Sequence, residues 1–142
     1  MKNKYMKIQL LDIAILLLGT MTASGVKDPN EVCMKLIFKQ GPWNPAGAGD
    51  NYGRWQATGA FVDAETVHAT FQMLYPPEQM PAMYSYYTMT GRNGELCIEV
   101  NLGSLEIINP SKGKFEGTWT IVEGTGTGDY DGASGSGDAT QI

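Results

Sequence analysis

Residues 115–138 read FEGTWTIVEGTGTGDYDGASGSGD, and they decide how the rest of the chain is read. The stretch opens as an alternating strand, with Phe115, Gly117, Trp119 and Ile121 on one side and Glu116, Thr118, Thr120 and Val122 on the other. Glycines then dominate: Gly124, Gly126, Gly128, Gly132, Gly135 and Gly137 free the backbone for corners and bulges. Two ligand-binding readings of the glycines fail on spacing. A GxGxxG fingerprint started at Gly124 meets Asp129 at its sixth position, with no strand-then-helix context. A calcium loop built on Asp129-Tyr130-Asp131-Gly132 would start at Thr127 and close on Asp138, where a bidentate glutamate is wanted. The block is architectural, a strand followed by a corner.

Working outward, the same two-residue period recurs. Trp55, Ala57, Gly59 and Phe61 alternate with Arg54, Gln56, Thr58 and Ala60. After a tight connection at Asp63-Ala64, Val67, Ala69 and Phe71 form the apolar side of a strand whose other side carries Thr66, His68, Thr70 and Gln72, so the pair reads as a hairpin. Leu96, Ile98, Val100 and Leu102 face inward after the Asn93-Gly94 turn, as do Met34, Leu36 and Phe38 nearer the start. Leu105 to Ile108 and Ala133 to Thr140 complete seven or eight short strands. Tyr84 to Thr90, YSYYTMT, is β-prone with ambiguous faces, because tyrosines occupy both. Val26 to Asn30 reads as a polar lead-in, Gln40 to Gly53 as a long loop holding Trp43, and Leu74 to Met83, with Pro76, Pro77 and Pro81, as a second long loop. The fold class is all-β: at this strand count and spacing, a closed or nearly closed antiparallel barrel or a sandwich.

A chain of 142 residues with 42% hydrophobic content makes one domain with one core. The formal net charge of -5 and the lack of a basic patch argue against nucleic acid as a partner. The first 25 residues stand apart. Lys2, Lys4 and Lys7 precede the mainly apolar run from Ile8 to Met21, and Ala23-Ser24-Gly25 offers small residues before Val26, the pattern of a secretory signal peptide with Asp12 as its one blemish. The domain expected to remain is residues 26–142, with 7 basic and 14 acidic residues, secreted or held in the periplasm or cell envelope. A retained N-terminal helix is the alternative; the run is short for a span, so no integral membrane segment is expected in the mature form. An outer-membrane barrel would reverse the observed parity, with apolar residues outside.

The runs GRWQATGAFVDAETV, YTMTGRNGELCIEV and FEGTWTIVEGTGTGDYDGASGSGDA together resemble the small secreted bacterial domains of the allene-oxide-cyclase-like barrel superfamily, which also includes the plant dirigent proteins. The resemblance covers most of residues 53–140 and is most specific in the glycine-rich tail. It implies that this tail is a strand, a corner and a last strand closing an antiparallel, closed or nearly closed barrel of about eight strands, calycin-like in shape. It carries no catalytic residue onto any position here.

Candidate chemistry is sparse. His68, the sole histidine, points outward by parity, and the expected lining has no ionisable group, so no acid-base pair, metal site or cofactor is expected and the chain leans away from being an enzyme. The residues expected to border a small apolar ligand are Trp55, Phe61, Phe71 and Trp119 within the barrel, with Tyr84, Tyr86 and Trp43 at its mouth. Cys33 and Cys97 fall on outward faces, and in an exported protein they are candidates for a disulfide closing a loop of roughly 65 residues, worth about 4 kcal/mol. Three functions fit: an exported, non-catalytic barrel that binds a small apolar molecule or a protein partner; a cyclase, isomerase or stereochemistry-guiding protein acting by confining its substrate; or a structural envelope or extracellular module.

Overall fold

A computed structural model describes residues 12–23, 26–39, 47–59, 63–75, 77, 82–103, 105–110 and 112–142. The described residues form nine strands: β1 Asp12–Ala23, β2 Val26–Lys39, β3 Ala48–Gly59, β4 Asp63–Leu74, β5 Ala82–Gly91, β6 Glu95–Leu102, β7 Glu106–Asn109, β8 Lys112–Ile121 and β9 Ser134–Gln141. All pairings are antiparallel, in the order β1-β2-β3-β4-β5-β6-β8-β9, and β9 returns to β1. Eight strands therefore close a barrel, and β7 pairs with β8 outside it. Among the described residues no helix is long and apolar enough to cross a membrane.

Side-chain alternation sets the inside. Met34, Leu36 and Phe38 on β2, Trp55 and Ala57 on β3, Val67 and Ala69 on β4, and Leu96, Ile98 and Val100 on β6 are buried, as their spacing predicts. The neighbours between them, such as Ile37 at 54% exposure, face out. On β5 the inward set is Met83, Ser85, Tyr87 and Met89, which settles the YSYYTMT ambiguity.

Three boundaries differ from expectation. Residues 26–30 belong to β2, which runs alongside β1 from Ala23↔Val26 to Asp12↔Lys39. Residues 48–53 are strand, because β3 stays in register with β4 from Ala48↔Gln72 to Ala57↔Asp63 and brings Asn51 inside. Asp12–Ala23, half of the segment expected to be a leader, is barrel strand β1, burying Ile15, Leu17 and Met21.

The wall where β8, β9 and β1 meet depends on missing side chains. Trp119 lies opposite Gly137 on β9, and its indole Nε1 donates 3.1 Å to the Leu18 carbonyl on β1, one strand further round. A Cβ on Gly137 would stand 1.9 Å from the Leu18 oxygen, and one on Gly19 would stand 2.1 Å from the Ser136 oxygen. The β1 and β9 backbones approach closely only because both positions are glycine, and the indole lies over this gap.

The glycine corner is tied down rather than free. Beyond the end of β8, Val122 and Thr127 donate their backbone N–H groups to the Cys97 and Glu95 carbonyls, while the Thr125 and Thr127 hydroxyls accept from the N–H groups of Cys97 and Glu95. The corner thus continues the ladder along β6 with side-chain oxygens. Gly94, at φ 150, lets the β5–β6 turn meet it, since a Cβ there would lie 2.0 Å from the Thr127 oxygen. A 3-10 turn, Gly128–Tyr130, then drives Tyr130 into the interior.

Candidate functional site: an apolar cavity at one end of the barrel

The two ends of the barrel are built differently. At the end where β3 finishes and β4 begins, the buried Asp63 carboxylate accepts hydrogen bonds from the backbone N–H groups of Ala64 at 2.8 Å, Arg92 at 2.8 Å and Asn93 at 3.2 Å, and from the Tyr130 hydroxyl. Burial alone would raise its pKa, but these donors outweigh it and hold the carboxyl below its ordinary value of 3.8. The same contact works the other way on Tyr130, where burial first and then Asp63 push the phenol strongly upward. A carboxylate surrounded by donors from its own fold is an anchor, with no lone pair directed at a substrate. Sequence reading treated Asp63 as a turn residue, and nothing in the local pattern distinguishes an Asp that caps a turn from one that receives a tyrosine 67 positions away.

At the opposite end lies a cavity of about 400 Å³, within the size range of small-molecule sites. Ile13 and Ile15 on β1, Phe38 on β2, Phe71 and Met73 on β4 and Phe115 on β8 supply most of its apolar wall. Phe38 and Tyr87 meet as a tilted aromatic pair with ring centroids 5.3 Å apart. Among the described residues the wall contains no Asp, Glu, Lys, Arg, His or Cys. Its polar side chains are Asn51, Ser85, Tyr87, Gln141 and, at the exposed rim, Tyr75.

Of the residues expected to bind a ligand, Phe71 lines this cavity. Trp55 and Trp119 are buried but lie outside the lining, with their indole N–H groups bound to the carbonyls of Thr90 and Leu18. They fill the barrel instead of bordering the space. Tyr84 and Tyr86 are on the outer face of β5, not at the mouth, because Met83, Ser85 and Tyr87 take the inward parity. There the hydrogen bond with Cys97, followed by burial and the neighbouring charges, pushes Tyr86 up to about 12, and Tyr84 is raised by burial and Glu99. Phe61 and Trp43 lie outside the described residues.

The disulfide expectation is corrected. Cys33 on β2 and Cys97 on β6 are both outward-facing, but four strand spacings of about 4.8 Å separate them around the wall, and both are free thiols. Outward parity alone does not bring two positions together on a closed surface. His68 also faces out, stacked on Tyr52 at 4.5 Å and bonded to Asp50 at 2.9 Å. Among the described residues no three His, Cys, Asp or Glu side chains are grouped as a metal site would need.

Sequence reading missed Asn51, Ser85 and Tyr87. Asn51 was hidden in a stretch read as loop. The β5 pair was recoverable from Met83 and Met89, whose spacing places residues 85 and 87 on the same side. No family model, curated protein or solved structure matches the chain.

Proposed function

We propose that this chain is a non-catalytic barrel that binds a small apolar ligand in the cavity between β1, β2, β4, β5 and β8. The observation that carries the reading is the cavity itself: about 400 Å³ with a mainly apolar wall and, among the described residues, no charged side chain to serve as acid, base or metal ligand. The resemblance of residues 53–140 to the allene-oxide-cyclase-like barrels bears on the fold alone, a closed barrel whose interior can hold a small molecule.

The test is binding of the uncharged fluorescent probe N-phenyl-1-naphthylamine. Saturable binding is expected, with Ala69→Phe, which pushes a ring into the lining, abolishing it and Ile37→Ala on the outer face leaving it intact. Failure of this probe, and of other uncharged apolar probes, to bind the folded wild-type protein overturns the reading.

A further inference from the structure

The polar groups of the cavity narrow the class of ligand. This step rests on the cavity being a ligand site. Ser85 and Tyr87 stand two residues apart on the inner face of β5, at 2% and 1% exposure. Both line the cavity. The Tyr87 hydroxyl has no hydrogen-bond partner among the described residues; Ser85 is near enough to affect its titration but is not in hydrogen-bond geometry with it. Burial holds the phenol far from ionisation, so at any physiological pH it presents an O–H donor.

A buried hydroxyl without a partner is costly, and the cost is relieved when something entering the cavity brings an acceptor. A hydrocarbon brings none. A carboxylate brings a charge to a wall that, among the described residues, contains no lysine, arginine or histidine, and stripping it of water would then go uncompensated. We propose that the cavity takes an uncharged, mainly apolar molecule bearing a single carbonyl or hydroxyl oxygen, and that this oxygen accepts the hydrogen bond of Tyr87. Phe38, tilted against the Tyr87 ring, limits how that ring can turn.

The experiment displaces N-phenyl-1-naphthylamine with octane, 2-octanone and octanoate at neutral pH, using wild type and Tyr87→Phe. The variant is expected to weaken 2-octanone roughly tenfold and leave octane unchanged or slightly tighter. In wild type, octanoate is expected to compete far more weakly than the ketone. The proposal is overturned if Tyr87→Phe weakens octane and 2-octanone equally or neither, or if octanoate competes as well as the ketone in wild type; in each case continued binding of the fluorescent probe leaves the apolar-ligand reading standing. The wild-type comparison does not depend on the variant folding. If the probe itself fails to bind wild type, the cavity reading fails, and this inference with it.

Discussion

Tyr130, at the end of the glycine corner, donates its hydroxyl to the carboxylate of Asp63, at the start of β4, and so joins the last loop of the chain to the β3–β4 and β5–β6 turns. Tyr130→Phe is expected to lower stability by about 1.5–3 kcal/mol, the range for a hydrogen bond to a charged group, in a urea or thermal melt. Asp63→Ala is expected to cost more, since it strands the Arg92 and Asn93 N–H groups as well.

The same carboxylate gives a pH dependence with a definite sign. Its folded-state pKa lies below the unfolded value near 3.8, so its contribution is fully present above that pH and is lost as pH falls towards the lower, folded value. Melts of wild type and Asp63→Asn across the acid range should therefore converge as pH drops below about 4. A difference that stays constant from neutral to strongly acid pH contradicts the assignment.

Gly137 and Gly19 set the approach of β9 to β1, and Trp119 uses it. Gly137→Ala is expected to destabilise by an amount at or above the upper end of about 1–3 kcal/mol, because the atom it meets is backbone and cannot rotate away. Gly124→Ala makes a useful contrast on packing alone: nothing lies within 4 Å of its would-be Cβ, and only its positive φ of 79 opposes the change.

β1 is tested by deletion. A chain beginning at Val26 loses three buried side chains, Ile15, Leu17 and Met21, each worth about 1.5–3 kcal/mol, and leaves β2 and β9 with unpaired edges. It is expected to self-associate and to melt without cooperativity. Intact mass of the folded, naturally processed protein provides the independent check; a monomer that starts at Val26 and unfolds cooperatively shows that the apolar run acts as a leader and that the barrel stands without it.

Cys33 and Cys97 are expected to titrate as two free thiols in protein prepared without reductant. Reductant should leave the melting temperature unchanged, and Cys33→Ser and Cys97→Ser should each stay within about 0.5 kcal/mol of wild type, as for substitutions on the outer wall.

Much of the barrel was legible because a wall one strand thick imposes a strict period of two. The runs holding Trp55, Val67 and Leu96 showed their inner faces without help from tertiary structure. Legibility failed where the period was carried by residues that do not look apolar. Ser85 and Asn51 interrupt the inner stripe at the cavity, so the stretches that supply its polar groups on β3 and β5 read as loop or as ambiguous, while Phe38 and Phe71 read correctly as inward. A cavity is the sum of what several strands leave unfilled, and no single strand records it. β1 failed differently: a lysine-led apolar run satisfies the needs of a leader and of a buried strand at once.

The two ends of this barrel answer to different constraints. Substitutions around Asp63 and Tyr130 have to keep four donors aimed at one carboxylate, which leaves few alternatives. Around the cavity, Phe71, Met73, Met83 and Phe115 have only to stay apolar and of suitable bulk. The chain can therefore drift at the cavity end, exchanging one ligand shape for another, while the far end keeps the fold intact through the change.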